Sequence, residues 1–190
     1  KLGVELKVEY SDRLSLFKAI KSIKDIIEQE KNNYIYVNVA SGSKIQAIAC
    51  MMACMVLKGC DNLQPFYAEP EKYAAFEGKQ QSFGLKDTIP LPTYEIQTPK
   101  PKLLAALKIV SEQKNQKITK KEMAQIAEDQ EIITVNAEES NHSQARFASL
   151  DKNIIAPLEK EWKFIEIEKI GRNRWIKITQ EGKDAAEFLI

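Results

Sequence analysis

Apolar and charged residues alternate from Val4 to Tyr10, with Val4, Leu6, Val8 and Tyr10 set against Glu5, Lys7 and Glu9. This is the period of a strand with one wet face, so an edge or near-edge strand is expected there. The period then changes. Leu16, Phe17, Ile20, Ile23 and Ile27 recur at helical spacing, with Lys18, Lys21, Lys24, Asp25 and Glu28 on the other face. Ser11 or Asp12 offers the N-cap of this helix and Asn32-Asn33 its close. Tyr34 to Val39 is nearly continuous in apolar residues, as in strands covered on both faces. Ile45 to Leu57 is thirteen residues with Gln46 as the sole polar side chain. A helix apolar all round is expected to be buried on every side, and Gly59 stops it. Gln64 to Ala68 is the next short strand, ended by Glu69-Pro70. The order β-α-β-α-β with short connections predicts an open, doubly wound parallel sheet of the α/β class.

The pattern loosens from Glu71 to Thr98. This stretch carries Tyr73, Phe76, Lys79, Gln80, Gln81, Ser82 and Phe83 and ends in Ile89-Pro90-Leu91-Pro92. It is expected either to connect over the sheet or to lid a ligand. Thr98-Pro99-Lys100-Pro101 then divides the chain into domains 1–98 and 99–190, with Pro101 suited to a helix first turn. Leu103, Leu104, Leu107 and Val110 form one helical stripe. Thr119 and Glu122 have capping-box spacing, and Ile118 with Met123 the staple spacing, which fixes a second helix start. A third helix is expected from about Ser143 to Trp162, with Phe147, Leu150, Ile154 and Leu158 inward, Arg146, Lys152 and Asn153 outward, and a kink at Pro157. Ile165 to Ile170 and Trp175 to Thr179 alternate around Gly171-Arg172-Asn173-Arg174 as a β-hairpin. Thr179 caps a last helix.

Three helices, a hairpin with a basic tip and a closing helix predict a winged helix-turn-helix, in which the third helix reads the major groove of double-stranded DNA. Lys120, Lys121, Arg146, Lys152, Asn153, Arg172, Arg174 and Lys177 are the candidate DNA contacts. Some winged helices serve only as protein contacts, and residues 99–190 hold about as many acids as bases. The net charge of +1 over 190 residues means that any nucleic-acid grip must come from a local cluster. Thirteen apolar residues fall short of the roughly 20 that span a bilayer, so no membrane partner is expected. Cys50, Cys54 and Cys60 stand among Met51, Met52, Ala53 and Met55, far from the one histidine, His142. Buried free thiols in a reducing cytoplasm are expected, not metal ligands. The chain starts at Lys1 without a visible secretory signal, which suits a soluble intracellular protein or a fragment of a longer one.

The candidate small-molecule site is Tyr34 to Lys44, where a strand runs through Ser41-Gly42-Ser43 into a helix. Backbone N–H groups, hydroxyls and a lysine at a helix N-terminus favour an anion, most often phosphate. A tight β–α turn that binds nothing uses the same small residues. In the expected parallel sheet this turn and Tyr67-Ala68-Glu69 share the carboxyl edge, where ligands sit.

Asn38-Val39-Ala40-Ser41-Gly42-Ser43-Lys44 resembles the strand–turn motif of CARF (CRISPR-associated Rossmann fold) domains. Ile45-Gln46-Ala47-Ile48-Ala49, Phe66 to Pro70 and Gly171 to Lys177 are similar to a largely uncharacterised archaeal family that joins a CARF-like domain to a C-terminal winged helix. The resemblance implies a Rossmann-like, homodimeric regulator of transcription that binds a cyclic oligonucleotide or related nucleotide. It assigns Asn38, Ser41, Gly42, Ser43 and Lys44 to the ligand, and Tyr67 by position. It implies no cofactor. Relatives carry an earlier strand and loop, so a truncated or reduced domain is expected here. Neither a histidine nor a carboxylate dyad lies near the turn in sequence, so binding is expected in preference to catalysis. A cyclic-nucleotide-cleaving enzyme and a dimeric interaction module without ligand are the alternatives.

Overall fold

The computed structural model describes residues 3–10, 12, 14–59, 61–73 and 82–190. The chain forms two compact units that divide between Thr98 and Pro99.

The N-terminal unit contains α1 (Leu16–Gln29), β1 (Ile35–Asn38), α2 (Lys44–Val56), β2 (Leu63–Glu69), β3 (Lys72–Tyr73), β4 (Ser82–Phe83) and β5 (Asp87–Pro90). Its sheet has the order β1-β2-β5. β1 and β2 are parallel, with Asn38 opposite Phe66, and β5 runs antiparallel to β2. The helix α2 joins β1 to β2 and permits their parallel pairing. The chain from β2 to β5 passes through the antiparallel β3–β4 pair, with no helix among its described residues, and returns antiparallel. Among the described residues the sheet is therefore mixed and three-stranded, neither the doubly wound parallel sheet expected from the element order nor the Rossmann-like one that the resemblance implies. α1 and α2 pack on each other, and α2 packs on β2. Ala19, Ile20 and Ile27 meet Ala49, Ala53 and Cys54 in a small core that also buries Pro65.

Four local expectations are corrected here. Val4 to Tyr10 forms no strand: Leu6 is 84% exposed and Tyr10 92%, and the segment is tied down by the exposed Lys7–Glu30 ion pair at 3.1 Å. Period two fixes which side chains alternate, but a ladder also needs a neighbouring edge. β1 is covered on one face only, since Ile35 and Val37 are half-buried while Tyr34 and Tyr36 are exposed. α2 likewise leaves one side open, with Ile48 52% exposed. The N-cap of α1 is Ser15, whose hydroxyl accepts from the Lys18 N–H, while Asp12 accepts from the Leu14 N–H. Ser11, Cys60, Phe76, Lys79, Gln80 and Gln81 lie outside the described residues.

The C-terminal unit contains α3 (Pro101–Glu112), β6 (Lys117–Thr119), α4 (Lys120–Asp129), α5 (His142–Leu150), β7 (Ile165–Ile170), β8 (Asn173–Ile178) and α6 (Gln180–Leu189). Thr119 and Glu122 make the expected capping box. α5 is followed by two π-helical turns, Asp151–Ile155 and Pro157–Glu161, where the sequence predicts one continuous helix kinked at Pro157. Wider turns accommodate a ring that would meet the carbonyl four residues back in an α-helix. β6, β8 and β7 form an antiparallel sheet in that order. Ile170 pairs with Asn173 across a two-residue turn whose Gly171 has φ +61°, the geometry in which glycine leads a tight hairpin. Leu107, Val110, Met123, Leu150, Ile154, Leu158 and Ile176 close one continuous core.

Candidate nucleic-acid interface

The two capping-box contacts that start α4 also aim its first residues. Because Thr119 and Glu122 fix the helix entrance, Lys120 and Lys121 leave it in defined directions. Leu150 in α5, with Ile154 and Leu158 in the π-helical turns that follow, seats this stretch on the core and leaves Ser143 exposed and Arg146 half-buried at its start. The tight turn at Gly171 holds Arg172, Asn173 and Arg174 at the tip of the β7–β8 wing. These three elements enclose a cleft of about 740 Å³. Its cations are Lys120, Lys121, Arg146, Arg172 and Arg174, and its other polar groups include Gln125, Ser143 and Asn173.

Those cations differ in how far the fold already satisfies them. Lys120 Nζ lies 2.6 Å from Asp151 Oδ2 and sits over the Phe147 ring. Arg146 Nη1 lies 3.4 Å from Glu128 Oε2 and also donates to Gln125 Oε1. Lys121, Arg172 and Arg174 have no ion-pair partner among the described residues. Three cations from two separate elements thus point an unanswered charge at one concave surface, the electrostatic form of a polyanion site.

Three other predicted contacts stand apart from the cleft. Lys177 bridges Glu166 at 2.9 Å and Glu168 at 3.0 Å, and those carboxylates raise its pKa above the ordinary lysine value. Lys152 and Asn153 are exposed on the first π-helical turn, where Asn153 donates to Ser149 Oγ. Gln125, Ser143 and Asn173 were not singled out from sequence. Helical spacing marked two of them, since Gln125 follows Lys121 by four residues and Ser143 precedes Arg146 by three. A second cleft of about 300 Å³ shares Lys120 and Arg174 and adds Lys160.

In the N-terminal unit the parallel pairing places the Ser41–Lys44 turn and Tyr67–Glu69, the last three residues of β2, at the same end of the β1–β2 pair. Within the turn, the Ala40 N–H donates to Asn38 Oδ1 at 2.9 Å. Ser43 and Gln46 form a capping box: Ser43 N–H donates to Gln46 Oε1, and Gln46 N–H donates to Ser43 Oγ. Gly42 has φ +88°, and a side chain there would meet the Gln46 amide. The chain itself therefore takes several of the donors that the sequence offered to an anion. The Ser41 and Gly42 N–H groups and the Lys44 ammonium have no partner among the described residues. The Tyr67 hydroxyl lies 3.0 Å from that of Tyr73, a contact that raises the Tyr73 pKa. Cys54 is fully buried, and burial pushes its thiol up to about 12. Among the described residues no group of His, Cys, Asp and Glu is placed to hold a metal, and no helix is long and apolar enough to cross a membrane.

Residues 102–190 match the DUF6293 C-terminal winged helix domain. The second unit is a winged helix domain. Its fold, like the cleft between its helices and wing, is consistent with DNA binding. Residues 1–73 match the family described as HFX_2341-like, N-terminal. The chain is also 26% identical over 162 residues to the uncharacterized protein MJ1513 of Methanocaldococcus jannaschii, which covers 72% of this chain and 48% of that protein. The chain thus spans about half the length of this relative.

Proposed function

We propose that this protein is a ligand-responsive, DNA-binding regulator of transcription. In this reading the winged helix domain grips duplex DNA through the cleft between α4, α5 and the β7–β8 wing. The observation that carries it is the convergence of Lys121, Arg172 and Arg174, unpaired and from two elements, on one cleft beside the N-terminal end of α5. Phosphate contacts of this kind supply the sequence-independent part of DNA affinity. A mobility shift on duplex DNA tests it. The Arg172→Ala, Arg174→Ala double variant is expected to lose at least about tenfold in affinity, on the order of 1 kcal/mol per charged contact. Binding unchanged by that variant would remove the wing from the mechanism.

The N-terminal unit is proposed to be a CARF-like, homodimeric sensor of a cyclic oligonucleotide or related nucleotide. Its support is the shared edge of the Ser41–Lys44 turn and Tyr67, the exposed Lys44 at a helix start, and the strand–turn motif itself. The Ser43–Gln46 capping box and the hydrogen bond from the Ala40 N–H to Asn38 Oδ1 engage Ser43 and Asn38 in the turn itself, so Ser41, Gly42 and Lys44 are proposed to meet the ligand. Binding, not turnover, is the proposed role. Calorimetry with cyclic tetra-adenylate should show binding that Lys44→Ala weakens; heat that does not change in Lys44→Ala counts against this site.

A further inference from the structure

Glu128 stands in the last turn of α4 with its side chain 23% exposed. Its two carboxylate oxygens are shared between two side chains of α5: Oε1 lies 3.0 Å from His142 Nε2 and Oε2 3.4 Å from Arg146 Nη1. His142 and Arg146 are one helical turn apart, so one carboxylate reaches both. Gln125, three residues earlier on α4, accepts from the same Arg146 nitrogen. Arg146 is only 20% exposed, lines the cleft with Lys121, Arg172 and Arg174, and yet has its charge answered from inside the fold.

Resting on the DNA-binding reading above, we infer that Glu128 is an internal competitor for DNA phosphate that holds Arg146 back from the duplex. A carboxylate and a phosphate oxygen recruit the same guanidinium N–H donors by charge-assisted hydrogen bonds. A pair this shielded is screened far less by salt than a contact made at the open rim. Arg146 therefore keeps its carboxylate when a duplex docks, and the cleft releases counterions for its unpaired cations only. The result is an α5 locked to α4 at its first turns and a DNA grip weaker than the five cations of the cleft would give.

The test measures binding of the full chain to a labelled random-sequence duplex across a salt series. It compares wild type, Glu128→Gln, Arg146→Gln and the double variant. Glutamine keeps a hydrogen-bond acceptor at position 128 but removes its charge. Glu128→Gln is expected to bind about tenfold tighter at low salt and to steepen the slope of log K against log salt by about 0.9, the increment for one added phosphate contact. Arg146→Gln alone should stay within about twofold of wild type, and the double variant should lose the whole gain, as the coupling of two contacting residues requires.

Unchanged or weaker binding by a folded Glu128→Gln protein overturns the inference. So does a gain that persists without Arg146, since that is general repulsion relieved and not a released arginine. If Glu128→Gln does not fold, Arg146→Gln still decides: a tenfold loss with a flatter slope shows that Arg146 already grips phosphate. A wild-type protein that binds no duplex at any salt instead fails the DNA-binding reading itself, and the inference falls with it.

Discussion

Thr119 and Glu122 show how much one pair of side chains settles. The Glu122 carboxylate accepts from the Thr119 N–H at 3.1 Å and from its hydroxyl at 2.6 Å, and the Thr119 hydroxyl accepts from the Glu122 N–H. Thr119→Ala should cost about 1 kcal/mol of stability, read as a lower thermal midpoint. The hydrogen bonds from Thr119 hold the Glu122 carboxyl below its ordinary pKa. A carboxyl whose pKa is lower in the folded state adds stability that is fully present above the ordinary carboxylate range. That stability is lost as pH falls through the lowered value. The midpoint difference between wild type and Glu122→Gln should therefore be largest near neutrality and shrink below about pH 4. A difference that stays constant through the acid titration would show that the two groups do not interact. Ser43 and Gln46 obey the same S-x-x-Q rule, and that spacing was visible in the sequence. The spacing alone does not decide, because small residues ahead of a helix serve equally well as a cap and as an anion cradle; only the position of the Gln46 amide separates the two.

At the scale of elements, what sequence revealed follows how local each signal is. The inward stripes of α3 and α5, the start of α4 and the wing were legible because period, cap and turn residues all lie within a few positions of one another. The N-terminal sheet was not, because its direction depends on partners far apart in the chain. β5 takes its orientation from the return path after β3 and β4, and nothing in Asp87-Thr88-Ile89-Pro90 records it. The Val4–Tyr10 alternation is a clean strand pattern whose partner edge is not supplied by the described residues. In the second unit, the join between β8 and α6 is a tight element contact that sequence hid behind an unremarked glycine. The Thr179 N–H donates to the Phe164 carbonyl, the Thr179 hydroxyl caps the Gly182 N–H, and a Cβ on Gly182 would collide with that same Phe164 carbonyl. Backbone cannot swing aside as a flexible side-chain end can. Gly182→Ala should therefore destabilise the protein by about 1–3 kcal/mol despite the better helix propensity of alanine. A thermal midpoint at or above that of wild type would mean that α6 shifts freely on the wing.

For the whole molecule, the near-neutral charge of +1 excludes a general electrostatic attraction to nucleic acid and leaves the local cleft to supply it. Each phosphate neutralised on duplex DNA contributes about 0.9 to the slope of log K against log salt, so the three unpaired cations imply a slope near −2.7 for each bound winged helix domain. If every predicted basic contact gripped a phosphate, Lys120, Arg146, Lys152 and Lys177 would add four more, and the slope would exceed about −6. Ion pairing decides between the two: Asp151 holds Lys120, Glu128 holds Arg146, Glu166 and Glu168 hold Lys177, and Lys152 stands outside the cleft. Arg172→Ala should accordingly flatten the slope by about one unit, whereas Lys177→Ala should leave it unchanged while freeing two carboxylates on the wing. Because Lys121, Arg172 and Arg174 all belong to the unit that begins at Pro99, and its core draws on that unit alone, residues 99–190 should retain the slope per bound domain without residues 1–98. A slope near −6 per bound domain in either form would show that DNA breaks the internal pairs, and that the grip extends beyond the three free cations.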